Sequence, residues 1–167
     1  MRALTLGRRK VHPARILVGV AAVAIILISA PAFGKASHAG WPAIHGTLKM
    51  HKSDRDGTIR GTRRSDELLG GHGNDVILGG DGRDVIWGDY KPCCQPTHQH
   101  DRLYGGASRD FIYSSHGFNT IDAGSGNDVV HAHFGRGIVD CGSGYDVVDV
   151  SHHSRRLYRI RHCERIK

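Results

Sequence analysis

The sequence lacks the short motifs of two large enzyme classes. It contains no H-E-x-x-H, the zinc-binding motif of many metalloproteases, and no G-x-S-x-G, which carries the nucleophile of α/β-hydrolases. Its 167 residues leave room for one domain, so a separate catalytic domain beside a repeat region is not expected. We therefore expect a protein that is not an enzyme.

Acidic residues are absent from residues 1–39. This segment holds six of the 23 Lys and Arg residues and none of the 16 Asp and Glu residues, and it contains an apolar stretch from Ile16 to Ala30. A basic start followed by such a stretch is typical of a secretory signal peptide, here with small residues for cleavage after Ala32 or Ala39. An uncleaved membrane anchor is the alternative, because the stretch is near the lower length limit for spanning a bilayer. Both place the rest of the chain outside the cytoplasm, and after cleavage no stable membrane insertion is expected.

The basic character of the chain is confined to its two ends. The formal net charge is +7, but residues 40–154 carry 11 Lys and Arg against 15 Asp and Glu, and six basic residues lie in residues 155–167. An acidic central region suits a cation-binding protein. We interpret the basic C-terminal end as solvated and expect no nucleic-acid partner.

Glycine and aspartate recur in the central region with a period of nine residues. Residues 70–78 and 79–87 both read Gly-Gly-x-Gly-x-Asp followed by three β-forming residues. Glycine permits backbone angles that a Cβ forbids, so the first part can turn sharply and expose carbonyl groups, and the Asp ends the turn with an anionic oxygen. The last three residues form a short strand whose middle residue can point into a core.

The middle strand position stays apolar through nine successive copies, including the degenerate ones. A flexible glycine-rich linker is the alternative, but it would lack this periodic apolar column. The column consists of Leu68, Ile77, Ile86, Leu103, Ile112, Ile121, Val130, Val139 and Val148.

Because two repeats complete one coil, alternate copies stack on the same side and form two columns of turns. The aspartate column keeps its carboxylate in every turn and consists of Asp66, Asp84, Asp110, Asp128 and Asp146. The mixed column keeps it only in its first two turns and consists of Asp75, Asp101, Asn119 and Gly137. If cations lie between successive turns of a column, as they do in the calcium-binding repeats that these residues resemble, the aspartate column would hold up to four and the mixed column one.

Residues 61–149 resemble the hemolysin-type (RTX) calcium-binding repeat. The ending from Asp140 to Asp146, with the later Cys163 and Glu164, is similar to small exported one-domain members of that family. The resemblance implies an all-β parallel β-roll over residues 61–150, in which Asp side chains and glycine-turn carbonyls hold Ca²⁺. The implied ligand positions are the seven aspartates of the two columns, together with Gly71, Gly73, Gly80, Gly82, Gly106, Gly124, Gly126, Gly142 and Gly144.

Three segments flank or interrupt the repeats. Residues 40–60 are predicted to form an irregular first coil in which Trp41 and Ile44 cap the open end. Residues 90–100 are predicted to bulge out as a loop, where Cys93 and Cys94 form a vicinal or intermolecular disulfide more readily than a zinc or copper site with the nearby histidines. A solvated, histidine-rich loop without either is a further alternative. Histidines elsewhere, such as His131 and His133, show no pattern of partners.

Residues 151–167 are predicted to form a basic capping strand. The segment 157–162 alternates like an edge strand, and its return along the last coil would bring Cys163 beside Cys141. We predict a disulfide between these two residues, and closing a loop of this size contributes about 3 kcal/mol in the entropic model.

Outward-facing strand positions are apolar or aromatic in the first half of the repeats. They are expected to expose one strip, unless the N-terminal segment covers it; the strip consists of Leu69, Val76, Leu78, Val85, Trp87, Tyr104, Phe111 and Tyr113. Trp87, Tyr104, Phe111 and Tyr113 would serve as contacts for an extracellular carbohydrate or protein. The sequence thus predicts a secreted, calcium-binding structural or binding module. The alternative is an accessory or catalytic fragment acting on extracellular polysaccharide.

Overall fold

The computed structural model describes residues 40–50, 54–90 and 96–167. The predicted signal peptide, and Cys93 and Cys94 of the predicted loop, lie outside these residues. Within the described part of the chain, no helix combines the length and the apolar character needed to cross a membrane.

Short strands make up almost all of the regular structure. A single-turn 3-10 helix, Ser154–Arg156, lies between the eleventh and twelfth strands. The strands are β1 Leu48–Met50, β2 Gly57–Arg60, β3 Glu67–Leu69, β4 Asp75–Gly80, β5 Val85–Trp87, β6 His100–Ala107, β7 Phe111–Tyr113, β8 Phe118–Ser125, β9 Val129–His131, β10 Arg136–Asp140, β11 Val147–Asp149, β12 Tyr158–Arg161 and β13 Arg165–Ile166.

Odd and even strands form two separate parallel sheets. The odd strands give a seven-stranded sheet in the order β1-β3-β5-β7-β9-β11-β13, and the even strands a six-stranded sheet in the order β12-β10-β8-β6-β4-β2. Each strand pairs with the strand one coil later, so Val129 lies beside Val147 and Ile121 beside Val139. This is the predicted parallel β-roll, in which two nonapeptides complete one coil.

The core lies between the two sheets and is one apolar side chain deep on each. All nine residues of the predicted core column are buried, with exposed fractions of 0 or 1 %. Ile59 extends the column by one coil at the N-terminal end, beside Ile77, and the partly buried Ile160 continues it beside Val139 at the C-terminal end. Burial of each such aliphatic side chain contributes about 1.5–3 kcal/mol, so the register of the coils is set by this column.

The two ends differ in part from the prediction. The C-terminal segment adds two strands, because β12 pairs with β10 and β13 pairs with β11, and together they form one further coil. At the other end, Trp41 does not cap the open coil. Its ring lies on the outer face of the odd sheet, edge-on to Trp87 and Tyr113 at centroid distances of 6.2 and 6.0 Å.

The predicted single apolar strip is wrong, because alternate repeats belong to opposite sheets. Trp87, Phe111 and Tyr113 lie on the odd sheet, whereas Tyr104 lies on the even sheet. Phe111 is only 4 % exposed, and Leu69 and Val85 are also buried. On the odd sheet the N-terminal segment does cover part of the strip, since the indole N–H of Trp41 donates a hydrogen bond to the Tyr113 hydroxyl (2.8 Å).

Candidate metal centre

The aspartate column forms a continuous ladder of hydrogen bonds along one edge of the roll. The backbone N–H of each Asp donates to Oδ1 of the Asp one coil later, as between Asp84 and Asp110 (2.8 Å) and between Asp128 and Asp146 (2.7 Å). The same contact joins Asp66 to Asp84 and Asp110 to Asp128. The predicted stacking of these five residues is therefore observed, and one oxygen of each later carboxylate is used to hold the coils together.

The other carboxylate oxygen has no hydrogen-bond donor among the described residues in the four turns that follow Asp66. Oδ2 of Asp84, Asp110, Asp128 and Asp146 is buried and accepts no hydrogen bond from the described residues. A buried, unsatisfied anionic oxygen is costly unless a cation or a proton compensates it. Four of them in one line indicate that the column is built to receive positive charge.

Backbone carbonyls and glycine residues lie close to these oxygens. A Cβ placed on Gly79 would stand 2.6 Å from Oδ2 of Asp84 and 2.3 Å from the carbonyl oxygen of Gly105. On Gly105 it would stand 2.6 Å from Oδ2 of Asp110 and 2.3 Å from the Ala123 carbonyl oxygen. Only glycine fits at these positions, because any side chain would collide with both the carboxylate and the carbonyl oxygen, so both oxygens can remain close together in each turn.

Eight of the nine glycines predicted as ligand positions adopt positive φ, which explains why the turns need glycine. The ninth, Gly71, instead donates its backbone N–H to Oδ2 of Asp75 (3.0 Å). Successive turns are also in close contact, since a Cβ on Gly124 would lie 2.2 Å from the carbonyl oxygen of Gly106, and one on Gly142 would lie 1.9 Å from that of Gly124. The turn carbonyls therefore point along the column from coil to coil.

Burial controls the electrostatics of the column. It raises the pKa of Asp84 to about 6, that of Asp128 to about 7 and that of Asp110 to about 8, and neighbouring carboxylates add to each shift. Burial also raises the pKa of Asp146. Burial thus disfavours the ionised form of these carboxyl groups, and a nearby cation would stabilise that form and lower their pKa values.

The two ends of the aspartate column are completed differently from its middle. At the start, burial acts to raise the pKa of Asp66, but hydrogen bonds from Thr47 and Thr62 outweigh it, and the pKa is lowered. At the other end, Oε2 of Glu164 accepts the N–H of Asp146 (2.7 Å) and continues the ladder by one turn. Glu164 was not among the predicted ligand positions, although its spacing of two repeats after Asp146 could have identified it.

The mixed column starts with a similar contact but then acquires protein donors. The N–H of Asp75 donates to Oδ1 of Asp101 (2.9 Å). Unlike the aspartate column, Oδ2 of Asp101 accepts from the Ser115 hydroxyl (2.5 Å) and lies 3.5 Å from the Gln99 amide nitrogen. Burial nevertheless raises the pKa of Asp101 to about 7. Gln99, from the segment predicted to bulge out, is itself buried and lies against the Gly117 turn.

After Asp101, a buried hydrogen-bond network around the Asn119 amide replaces the carboxylates of the mixed column. Oδ1 of Asn119 accepts the backbone N–H of Ser115 (3.0 Å), while its amide nitrogen donates to the Ser115 carbonyl (2.9 Å) and the Tyr158 hydroxyl (3.0 Å). Tyr158 in turn donates to the carbonyl oxygen of Phe134 (2.7 Å). Gly137, the next member of the column, lies beside Tyr158 in the register of β10 and β12. The polar groups of Asn119 are therefore satisfied within the protein.

A disulfide joins Cys141 to Cys163, with their Cα atoms 5.2 Å apart. Cys141 follows β10 and Cys163 follows β12, so the bridge links two adjacent coils at the C-terminal end, as predicted. Since Glu164 is the next residue, the bridge also positions the last carboxylate of the ladder beside Asp146.

The donor set of the aspartate column fits calcium. Calcium binds six to eight oxygen ligands, typically carboxylates and backbone carbonyls, and tolerates irregular geometry. The column offers both kinds of oxygen in each successive turn, namely the unpartnered Oδ2 atoms and the carbonyls of the glycine turns. The carboxylates of Asp84, Asp110, Asp128 and Asp146 would hold the ions, and Glu164 could close the last position.

Comparison with known proteins agrees with this chemistry. The model of the RTX calcium-binding nonapeptide repeat, a unit of four copies, matches residues 53–89, 99–130 and 115–148. No curated protein and no solved structure matches the chain. The matched segments cover more than half of the sequence and include both turn columns, and so the chain belongs to the family of RTX calcium-binding nonapeptide repeat proteins.

Proposed function

We propose that this protein is an exported β-roll that folds on binding several Ca²⁺ ions along the aspartate column, and that it acts as a structural or binding module without catalysis. The observation that carries the proposal is the line of buried Oδ2 atoms on Asp84, Asp110, Asp128 and Asp146, which accept no hydrogen bond from the described residues. Their number and spacing repeat with the coils, as expected of a site that is part of the fold.

Calcium would supply the positive charge that the column requires. Without it, the buried carboxylates repel one another, and the glycine turns lose more conformational entropy on ordering than other residues would. When ions bind only the ordered turns, the free energy of binding becomes free energy of folding. Folding and calcium binding should therefore occur as one event.

Carbohydrate binding through the aromatic residues is the alternative use of the module. The flat face of Tyr113 is occupied on both sides, since it stacks on Trp87 (centroids 4.1 Å apart, planes at 7°) and on His131 (4.5 Å, 8°). A sugar ring packs best on a free aromatic face, so these rings are better suited to stabilise the odd sheet. Apart from Asp89, whose enclosed side chain lies 3.6 Å from His72, the buried aspartates of the described residues lie in the two columns, which favours a structural role for them over acid–base catalysis.

Export is supported by two features. The Cys141–Cys163 disulfide suits an oxidising compartment. Residues 1–39 have the charge pattern of a signal peptide. Mass spectrometry of protein recovered from the medium of an expressing culture should give a chain that starts after Ala32 or Ala39. Recovery of the intact chain in the cell fraction alone would contradict export.

Circular dichroism of the purified protein tests calcium-coupled folding. In excess chelator we expect a weak β signal, and addition of Ca²⁺ should restore it in a cooperative transition at about 0.1–1 mM, the range of extracellular calcium modules. Mg²⁺ at the same concentration is the control and should not restore it, because it demands a small octahedral site and loses water reluctantly. Identical spectra with chelator and with calcium would contradict the proposal.

A further inference from the structure

A second cluster of metal-binding side chains lies outside both turn columns, on the outer face of the odd sheet. His131 ends β9, and Asp149 ends the neighbouring strand β11 directly beside it. One donor atom from each of His131, His133 and Asp149 lies within 4.8 Å of the other two. Nδ1 of His131 is 3.6 Å from Oδ2 of Asp149, and Nε2 of His133 is 3.2 Å from Oδ1.

The surrounding residues hold this cluster in position. The ring of His131 is stacked on Tyr113, which fixes the plane of the imidazole. The backbone carbonyl of His133 accepts hydrogen bonds from the hydroxyls of Ser151 (3.0 Å) and Ser154 (2.8 Å). His131 is thus positioned by ring stacking, and His133 by hydrogen bonds to its backbone carbonyl. Neither residue needs an ion to order it.

The cluster is open to solvent on one side. The side chains of His131, His133 and Asp149 are 26 %, 44 % and 40 % exposed. They line a cavity of about 420 Å³ together with Trp87, Tyr113 and Phe134. An ion could therefore enter from solvent and keep coordination positions that the protein does not fill.

Two imidazole nitrogens and one carboxylate oxygen suit a different metal from the turn columns. Calcium prefers an all-oxygen shell, whereas zinc and its neighbours bind imidazole well. With zinc–ligand distances of about 2.0–2.2 Å, tetrahedral ligands are separated by about 3.3 Å. Each imidazole nitrogen lies at about this distance from a different oxygen of Asp149, His133 at 3.2 Å from Oδ1 and His131 at 3.6 Å from Oδ2, so a rotation of the carboxylate would bring one oxygen to the ion.

We propose that His131, His133 and Asp149 bind one divalent transition-metal ion of the zinc class, at a site separate from the calcium column. The protein supplies three ligands, and the remaining position faces the cavity. The site spans two consecutive coils, so only the folded, calcium-loaded roll presents it.

Titration of the calcium-saturated protein with Zn²⁺, followed by isothermal calorimetry, tests this proposal. The wild type should bind one ion more tightly than any other, and His133→Ala and Asp149→Asn should each weaken that site at least tenfold. His153→Ala, an exposed histidine in the turn between β11 and the 3-10 helix, is the control and should leave the affinity unchanged.

Circular dichroism and calcium stoichiometry, measured on each variant, separate loss of the site from loss of the fold. Both should equal those of the wild type, since neither His133 nor Asp149 belongs to the columns. Equal zinc affinity in all four proteins would overturn the proposal, and so would a loss that occurs only together with the calcium-dependent β signal. If one variant unfolds, the other decides, because the two residues lie on different coils.

Discussion

The two turn columns share one backbone geometry but satisfy their buried polar groups in different ways. In the aspartate column, Oδ2 of Asp110 accepts no hydrogen bond from the described residues, and its pKa is raised by burial to about 8. In the mixed column, by contrast, the Ser115 hydroxyl donates to Oδ2 of Asp101, and Asn119 and Tyr158 complete a network of neutral side chains. Under the proposed function, the difference means that a glycine–aspartate coil needs calcium where its carboxylates are left without protein donors.

Removal of one carboxylate from the aspartate column should have the largest effect. Asp128→Asn keeps the shape of the side chain but removes the charge between Asp110 and Asp146, so we expect the loss of at least one bound Ca²⁺ and at least a tenfold weaker midpoint, about 1.4 kcal/mol. Asp122→Asn, an exposed aspartate on β8, is the matched control. Calorimetric titration with calcium measures both, and equal stoichiometry in the two variants would show that the column does not bind the ion.

Acidification in chelator should partly replace calcium. The pKa values of Asp84, Asp110 and Asp128 are raised to about 6, 8 and 7 in the folded roll, above the unfolded value of 3.8. A raised pKa gives stability that is fully present at low pH and is lost as the pH rises through the folded value. The chelated protein should therefore have more β signal at pH 5 than at pH 8.5. A calcium-free β signal that increases with pH would contradict this account of the column.

The disulfide should support the C-terminal coil without being needed for calcium binding elsewhere. The double variant Cys141→Ser, Cys163→Ser should lower the free energy of unfolding in saturating calcium by about 3 kcal/mol, because the bridge closes a loop across the last two coils. Since Glu164 follows Cys163, only the last calcium position should weaken. Urea denaturation and calcium titration check this, and loss of all the bound calcium would show that folding starts from the C-terminal coil.

Substitution in the mixed column should reduce stability but not calcium binding. Asn119→Ala leaves the N–H of Ser115 without its acceptor and removes the donor to the Tyr158 hydroxyl, which keeps its bond to the Phe134 carbonyl, and we expect a loss of about 1–3 kcal/mol in the free energy of unfolding. Asn127→Ala, an exposed asparagine in a turn of the aspartate column, is the control and should cost less. A reduced number of calcium ions in Asn119→Ala would break the distinction between the columns.

The period of nine residues was sufficient to predict the repeat architecture. It fixed the phase of the core residues from Leu68 to Val148, and hence which aspartates stack, because a shift of one residue would expose the whole apolar column. The sequence also indicated the Cys141–Cys163 pairing, since the strand after the repeats had only one place to pair.

Features that depend on side-chain contacts between coils could not be read from the period. Tyr158 makes a hydrogen bond to Asn119 across the strand position of Gly137, and Trp41 folds back onto the odd sheet instead of capping its end. Outward-facing residues were predicted as one strip, although alternate repeats lie on opposite sheets. The cluster of His131, His133 and Asp149 was not predicted for the same reason, because its members are brought together by the pairing of β9 and β11.

The most direct test of the central claim is an anomalous-difference map from crystals of the calcium-saturated protein, recorded at a wavelength where calcium scatters anomalously. The account predicts peaks between successive turns of the aspartate column from Asp84 to Asp146, and none beside Asn119, whose groups already have protein partners. Peaks beside Asn119, or an aspartate column without peaks at saturating calcium, would contradict it.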